Sequence, residues 1–297
     1  MPEPSERKEG RQRQPVRSTR GLLALVATPI GNLGDISARA LETLKAADLI
    51  ACEDTRVTGN LLSKFDIRRP TLPYHDHNAE TMRPKLIARL QDGETVALVS
   101  DAGMPLISDP GYKLVREATA AGIAVTVIPG PSAPLAALVL SGLPSDRFLF
   151  AGFLPVKDGA RRATLLELKT VPATLLFFET GPRLADSLAS CAAVLGDRPA
   201  AVARELTKLH EEVLRDTLGA LARHYEERGA PKGEIVVVIG PPSAEEAAFD
   251  VDAALETALK NMAVKEAASA VAAASGKPRR EIYARALALA GRGPMKP

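Results

Sequence analysis

The chain has 297 residues, 46% of them apolar and 25% charged, which suits about two globular domains and excludes a wholly disordered chain, a collagen or a coiled-coil rod. Two cysteines, Cys52 and Cys191, are too few for a disulfide framework or a four-ligand zinc site and point to a reducing compartment. The net charge of +2 forces no broad grip on nucleic acid, so any basic footprint has to be local. No apolar run reaches the ~18 residues of a membrane span, and the charged N-terminus lacks the apolar core of a signal peptide, so a cytoplasmic location is expected.

Residues 1–20 form a polar tail in which Arg7, Lys8, Arg11, Arg13, Arg17 and Arg20 sit among glutamates with almost nothing to bury. It reads as disordered and solvated. A first α/β domain is expected over residues 21–145. Its strands are 22–27, 48–52, 95–99 and 124–128, and its helices are 36–46, 55–65, 80–91 and 110–121. TVALV at 95–99 is apolar on both faces, as in a strand covered by helices on both sides, and alternating β and α units argue for a mostly parallel sheet. Pro84 predicts a later start or a kink for the third helix.

A second α/β domain is expected over 146–242, after a stretch broken by Gly142, Pro144, Gly152 and Pro155. Its strands are 148–152, 173–178, 200–204, 212–216 and 234–239, and its helices lie near 159–169, 182–194 and 217–228. The Ala-rich stretch 250–291 has no strand signal. It reads as a small helical extension of about three helices, divided before Val264 and at Gly276-Lys277-Pro278. Its basic piece at Lys277, Arg279 and Arg280 suits packing onto the body, with RNA contact as the sharper alternative.

Chemistry is expected in the turns that follow the strands, because open α/β sheets bind ligands beyond the carboxyl ends of their strands. These turns are TPIGNLGD (28–35), EDTR (53–56), SDAGMPLISDPG (100–111) and PGPSA (129–133). Glycine admits a close backbone approach and proline stiffens the loop. Neither G-x-x-x-x-G-K-[ST] nor a strand followed by G-x-G-x-x-G is present, so a nucleoside triphosphate or a nicotinamide has little support. His75 and His77 alternate onto one side of an extended segment, but two histidines make a poor metal site. A polar strand end with Asn78 capping the next helix is the preferred reading, and no metal is expected. Lys157, Arg161 and Arg162 surround Gly159 at the start of a predicted helix, where positive charge opposes the helix dipole and suits a bound anion. Arg204, Glu205 and Lys208 occupy a strand-to-loop position further on.

Taken in order, VATPIGNLGD, ACEDTR, HDHN, LVSDAGMPLISDPG, IPGPSA, GLPSDRFLFAGFLP, GARR, FFETGPR, ARELTK and KGE resemble the ribosomal RNA 2′-O-methyltransferases of the tetrapyrrole methylase family. The resemblance covers about residues 20–240, and the Ala-rich extension is also similar. It implies two α/β domains with a cofactor cleft between them, a homodimer, and S-adenosylmethionine as cofactor without a metal. The implied reaction is 2′-O-methylation of a cytidine ribose in 16S ribosomal RNA, in the decoding centre of the small subunit. By similarity, Asp101, Ala102, Gly103 and Ile107 match the cofactor loop, with Pro29, Ser132 and Ala133, and Leu206 as a further wall. Met104 stands where the family often has threonine. Lys157, Arg161, Arg162 and Lys208 are the expected RNA contacts.

S-adenosylmethionine carries no phosphate, which agrees with the missing phosphate loop. Alignment of the ribose oxygen contributes roughly 7–11 kcal/mol to such a transfer, and a positioned base about 10²–10⁴-fold. Candidate bases at strand ends are Glu53, Asp54, His77 and Glu205, with Arg56 holding a carboxylate or a phosphate. Asp54, Arg56 and His77 stand first, although Asp54 also reads as the cap of helix 55–65. Two other readings stay open: a small-molecule, tetrapyrrole-like methyltransferase on the same fold, and a non-catalytic RNA-binding assembly factor.

Overall fold

The computed structural model describes residues 21–109, 111–243, 251–259, 262–275 and 277–290. The tail at 1–20 and the expected helix break at Gly276 lie outside them. The chain divides into two units. The first runs to Leu140 and takes in Ala203–Glu212, and the second is made of Ser141–Val202 and the chain from Val213 on.

In the first unit, strands and helices alternate as β1 (Leu22–Val26), α1 (Ala38–Ala46), β2 (Leu49–Cys52), α2 (Thr55–Lys64), β3 (Thr71–Pro73), α3 (Ala79–Gln91), β4 (Thr95–Val99), α4 (Tyr112–Ala120), β5 (Ala124–Ile128) and α5 (Ala133–Ser141). The sheet is five-stranded, in the order β3-β2-β4-β1-β5, and every neighbouring pair is parallel. Its central strands are buried on both faces, and two apolar clusters result. One holds Ala24, Val26, Leu44, Ile50 and Val99, and the other Leu23, Leu49, Tyr74, Leu86, Leu98 and Leu114. The register brings the strands to one finishing line. Val26 is level with Val99 and Ile128, and Cys52 with Val99 and Pro73. The loops after all five strands therefore leave the same edge. The strand order reverses between β1 and β4, which is where such sheets open a crevice.

The second unit contains β6 (Phe148–Phe153), α6 (Asp158–Leu168), β7 (Thr174–Thr180), α7 (Gly181–Leu195), β8 (Pro199–Arg204), β9 (Glu212–Thr217), α8 (Leu218–Arg228) and β10 (Glu234–Ile239). Its sheet runs β6-β7-β10-β8-β9. β6 lies parallel to β7 with an irregularity between Phe150 and Phe153, and β10 is antiparallel to β7. Leu175, Phe177, Leu188, Val202, Leu221 and Val237 are among its core. Helices α9 (Val251–Leu259), α10 (Val264–Ser275) and α11 (Arg279–Ala290) form their own small cluster around Leu255, Ala268, Val271 and Ile282. No helix among the described residues is long and apolar enough to cross a membrane.

Two elements fall outside the expected set, the later start of the third helix is not seen, and the Asn78 cap needs correction. β3 and α5 were not expected. β3 is a three-residue edge strand ending in proline, and α5 (APLAALVLS) is apolar nearly all round, so neither shows a clean period. Helix α3 starts at Ala79, ahead of Pro84, and runs through it. Asn78 precedes α3 but makes no side-chain cap. Its Oδ1 accepts from the His75 N–H and its Nδ2 donates to the Pro73 carbonyl, so it ties the end of β3 to the turn.

Candidate active site

At the reversal point the loops after β1 and β4 pair directly. The Thr28 N–H donates to the Gly103 carbonyl at 2.9 Å, and the Gly103 N–H donates back to Thr28 at 3.1 Å. The buried Thr28 hydroxyl donates to the Ser100 carbonyl at 3.0 Å, and Ser100 Oγ bridges both polar backbone groups of Ala102. This pairing places Gly103 at φ +83°, a conformation that glycine adopts without cost. A Cβ there would stand 3.2 Å from Ile30 Cγ2 and 3.5 Å from the Pro131 carbonyl oxygen. The same loop holds Leu106 and Ser108 at positive φ. Residues 205–208 close against the β1 loop, where a Cβ on Gly31 would stand 2.5 Å from Lys208 Cγ. That segment is fixed by Lys208 Nζ on Glu205 (2.8 Å), by the Thr207 N–H on Glu211 (2.6 Å) and by Arg204 on Glu212 (3.0 Å).

Carboxylates gather at the ends of β2, β3 and β4. Asp54 caps α2 by accepting from the Arg56 N–H and grips the Arg56 guanidinium at 2.7 Å. These hydrogen bonds hold its carboxyl down at about 2. The Asp54 N–H donates to Asp101 Oδ1 at 3.1 Å. Burial and the charge on Asp54 push the Asp101 carboxyl up, against that hydrogen bond. Burial raises Asp109, and the charges of Asp101 and Asp76 add to it. Burial likewise raises Glu53, followed by the charges of Asp109, Asp101 and Asp76. The edge is thus a partly buried acidic field that favours a cationic ligand.

The fold brings Pro29, Asp101, Ala102, Gly103, Ile107, Ser132, Ala133 and Leu206 together in the first unit, on these loops. Ala102 and Ile107 are exposed, Ser132 and Ala133 half-buried and Leu206 buried. Of the expected catalytic residues, Asp54 and Arg56 hold each other, Glu205 holds Lys208, and His77 is exposed beside His75. The expected anion group divides. Lys157 and Arg162 are exposed, with Arg162 on Asp158 at 2.9 Å. Arg161 is only 7% exposed, and its guanidinium donates to Ser190 Oγ, the Val156 carbonyl and Asp158. The expectation that Arg161 holds RNA phosphate is therefore corrected: its donors bind the start of α6 to α7.

Sequence reasoning missed a cavity of about 280 Å³ beside these loops, lined by Thr28, Pro29, Gly31, Leu33, Ser100 and Asp101 and by residues of α2. The available signal was the spacing of Val57, Asn60, Leu61 and Lys64, which marks one face of a helix.

Comparison with known proteins agrees with this architecture. A model of the tetrapyrrole (corrin/porphyrin) methylases matches residues 22–222, and one described as the RsmI C-terminal HTH domain matches residues 245–290. A ribosomal RNA small subunit methyltransferase I of Mesorhizobium japonicum is 56% identical over 94% of this chain and 96% of its own. Its namesake from Erythrobacter litoralis is 55% identical over 90% and 95%. A solved diphthine synthase superposes with a TM-score of 0.54 at 20% identity, covering 74% of this chain and 90% of its own, a likeness of fold. The chain belongs to the tetrapyrrole methylase family and, within it, to the family of ribosomal RNA small subunit methyltransferases I.

Proposed function

We propose that this chain transfers a methyl group from S-adenosylmethionine to the 2′ oxygen of a cytidine ribose in the 16S ribosomal RNA of the small subunit. The observation that carries the reading is the 56% identity, over nearly the whole of both chains, to a relative named as a small-subunit ribosomal RNA methyltransferase. A ribosomal substrate also implies action in the cytoplasm.

Two features of the strand-end loops fit the cofactor. Gly103 leaves open a cradle that a side chain would enter, and the acidic field suits a ligand with a positively charged sulfur. When bound, S-adenosylmethionine supplies an electrophilic methyl group. In this reading Ala102 and Gly103, whose own polar backbone groups are held by Ser100 and Thr28, let the ligand approach the chain closely, Ile107 and Leu206 are apolar walls, and Pro29, Ser132 and Ala133 supply the remaining contacts. Asp101 takes the ribose proton. One of its oxygens is held by the Asp54 N–H, which aims the other, and burial raises the carboxyl, which makes it a stronger base than an exposed aspartate. Asp54 and Arg56 position Asp101, Glu205 anchors the 205–208 segment, and His77 is the second candidate acceptor. Lys157, Arg162 and Lys208 remain the proposed phosphate contacts.

We read the working unit as a homodimer, because Leu135, Val139 and Leu140 of α5 leave an apolar face exposed on the first unit. Light scattering at micromolar concentration tests this, and a monomer mass rejects it. The reaction is tested by incubating the protein with methyl-labelled S-adenosylmethionine and unmodified small subunits, then mapping ribose methylation. A single labelled cytidine is expected. Label that enters only a corrinoid precursor, or no label at all, overturns the reading.

A further inference from the structure

The cavity beside the cofactor loops has a chemistry of its own. One wall is α2, whose Val57, Asn60, Leu61 and Lys64 recur at i, i+3, i+4 and i+7. This is not the face that packs on the core, since the buried residues of α2 are Thr58 and Leu62. A face used only for packing would be apolar throughout. Here apolar and polar side chains alternate along one stripe, and Leu33 of the turn after β1 also lines the space. Among the described residues neither the Asn60 side chain nor that of Lys64 has a hydrogen-bond or ion-pair partner. Pro29 and Asp101 line the cavity and also belong to the loops assigned to the cofactor.

We infer that this cavity receives the target nucleoside, a single pyrimidine nucleotide drawn out of the RNA, with Asn60 on the base edge and Lys64 on an adjoining phosphate. The inference rests on the methyl-transfer reading above and specifies its substrate side. At about 280 Å³ the space falls just below the ~300–1,000 Å³ of clefts that hold drug-sized ligands, and so suits one nucleoside. Enzymes that do chemistry on a base take its nucleotide out of the stack into such a pocket, and the same extraction would bring a ribose oxygen to Asp101. Leu33, Val57 and Leu61 offer apolar surface to a flat base. The Asn60 amide presents a donor and an acceptor side by side, which match the N3 and N4 edge of cytosine. Lys64, one turn further along the stripe, meets phosphate as a point charge. The ribose then falls toward Asp101, where the two halves of the site share a wall.

Two variants and two readouts test the assignment. Asn60→Ala removes the base-edge contact from an exposed helix position, and Leu61→Trp fills the cavity. Methylation of small subunits is measured as kcat/KM, and S-adenosylmethionine affinity by calorimetry. We expect Asn60→Ala to lose about ten- to a hundredfold in kcat/KM, the worth of one base-edge contact, and Leu61→Trp to lose more. Cofactor affinity should stay within a factor of about two in both, because neither residue belongs to the cofactor loops. Wild-type rates in both variants overturn the cavity assignment and leave the methyl-transfer reading standing. So does a loss of cofactor affinity that accounts for the loss of rate, since the cavity would then belong to the cofactor. A wild-type protein that binds the cofactor and never methylates small subunits overturns the function reading itself, and the assignment with it.

Discussion

Replacing Gly103 by alanine perturbs the point where the β1 and β4 loops join. The residue sits at φ +83°, and a left-handed conformation costs an L-residue roughly 1–2 kcal/mol. The added Cβ would lie 3.2 Å from Ile30 Cγ2, so the isoleucine methyl must give by a few tenths of an ångström. The backbone cannot escape by turning, because both hydrogen bonds to Thr28, at 2.9 and 3.1 Å, fix it, and losing them would cost about 1 kcal/mol each. Against a stability of about 5–15 kcal/mol, the variant folds. A loss of about 1–2 kcal/mol lowers the melting temperature by roughly 2–8 °C for a unit of this size.

The cofactor is the sharper readout. If ligand approaches the backbone at this turn, the methyl group occupies the place where it must lie, and S-adenosylmethionine affinity should fall at least tenfold. Gly93→Ala is the control. Gly93 is also left-handed, at φ +92°, but a Cβ there meets nothing within 4 Å, and the residue lies beyond α3, outside the strand-end loops. It should lose similar stability and keep its affinity. Calorimetry that finds equal affinity in Gly103→Ala, Gly93→Ala and wild type would refute the placement of the cofactor at this turn.

The other predictions concern charge. Arg161→Ala should cost about 1–3 kcal/mol in urea denaturation, because Ser190 and the Val156 carbonyl lose a buried donor, whereas the exposed Arg162→Ala should cost under ~1 kcal/mol. Equal losses would reject the assigned roles. Asp109 has a raised folded-state pKa, so the folded chain holds its proton more tightly than the unfolded one. That contribution is complete below the unfolded value of about 3.9 and is lost as pH rises through the folded value. Asp109→Asn should therefore gain stability relative to wild type at pH 7 and not at pH 3, read as urea midpoints. Asp54 has the opposite sign. Its carboxyl is held down at about 2, so its contribution is present above about pH 4 and lost as pH falls toward 2. Asp54→Asn should flatten the acid side of the stability profile. Asp101→Asn should abolish most methyl transfer even at saturating cofactor, and a near-normal rate at pH 7 would remove Asp101 as proton acceptor.

Much of the fold was legible because buried parallel strands leave a plain mark. TVALV is apolar on both faces and became β4 at the expected residues. α2 was legible from its start, where Asp54 caps it. β3 and α5 were not, since three residues carry no period and a helix apolar all round has no preferred face. The loops of the site were visible as Gly, Pro and Asp after strands. Their electrostatics were not, because Glu53, Asp76 and the Asp101–Asp109 loop are distant in sequence and meet only through the register of β2, β3 and β4. Arg161 and Arg162 show the same limit at close range. Adjacent residues point about 100° apart on a helix, so one is buried against Ser190 and the other reaches solvent. Asn78 obeyed a different local rule from the one expected, because the open end of β3 used its amide first.

The costs in the first unit fall together. Of the five non-glycine residues at positive φ among the described residues, Leu106 and Ser108 lie in the loop after β4, and Glu205 and Thr207 lie in the segment closed against Gly31. Strained residues of this kind cost of order 1–3 kcal/mol each. The half-buried Asp101 and Asp109 and the exposed Glu53 stand at the same edge, each raised first by desolvation and then by the charge of neighbouring carboxylates. Leu106 packs against one of the apolar clusters under the sheet, so its strain serves the core, whereas the gathered carboxyls belong to neither cluster. A cation bound at this edge would offset the repulsion, and the strained backbone would already hold the shape it needs.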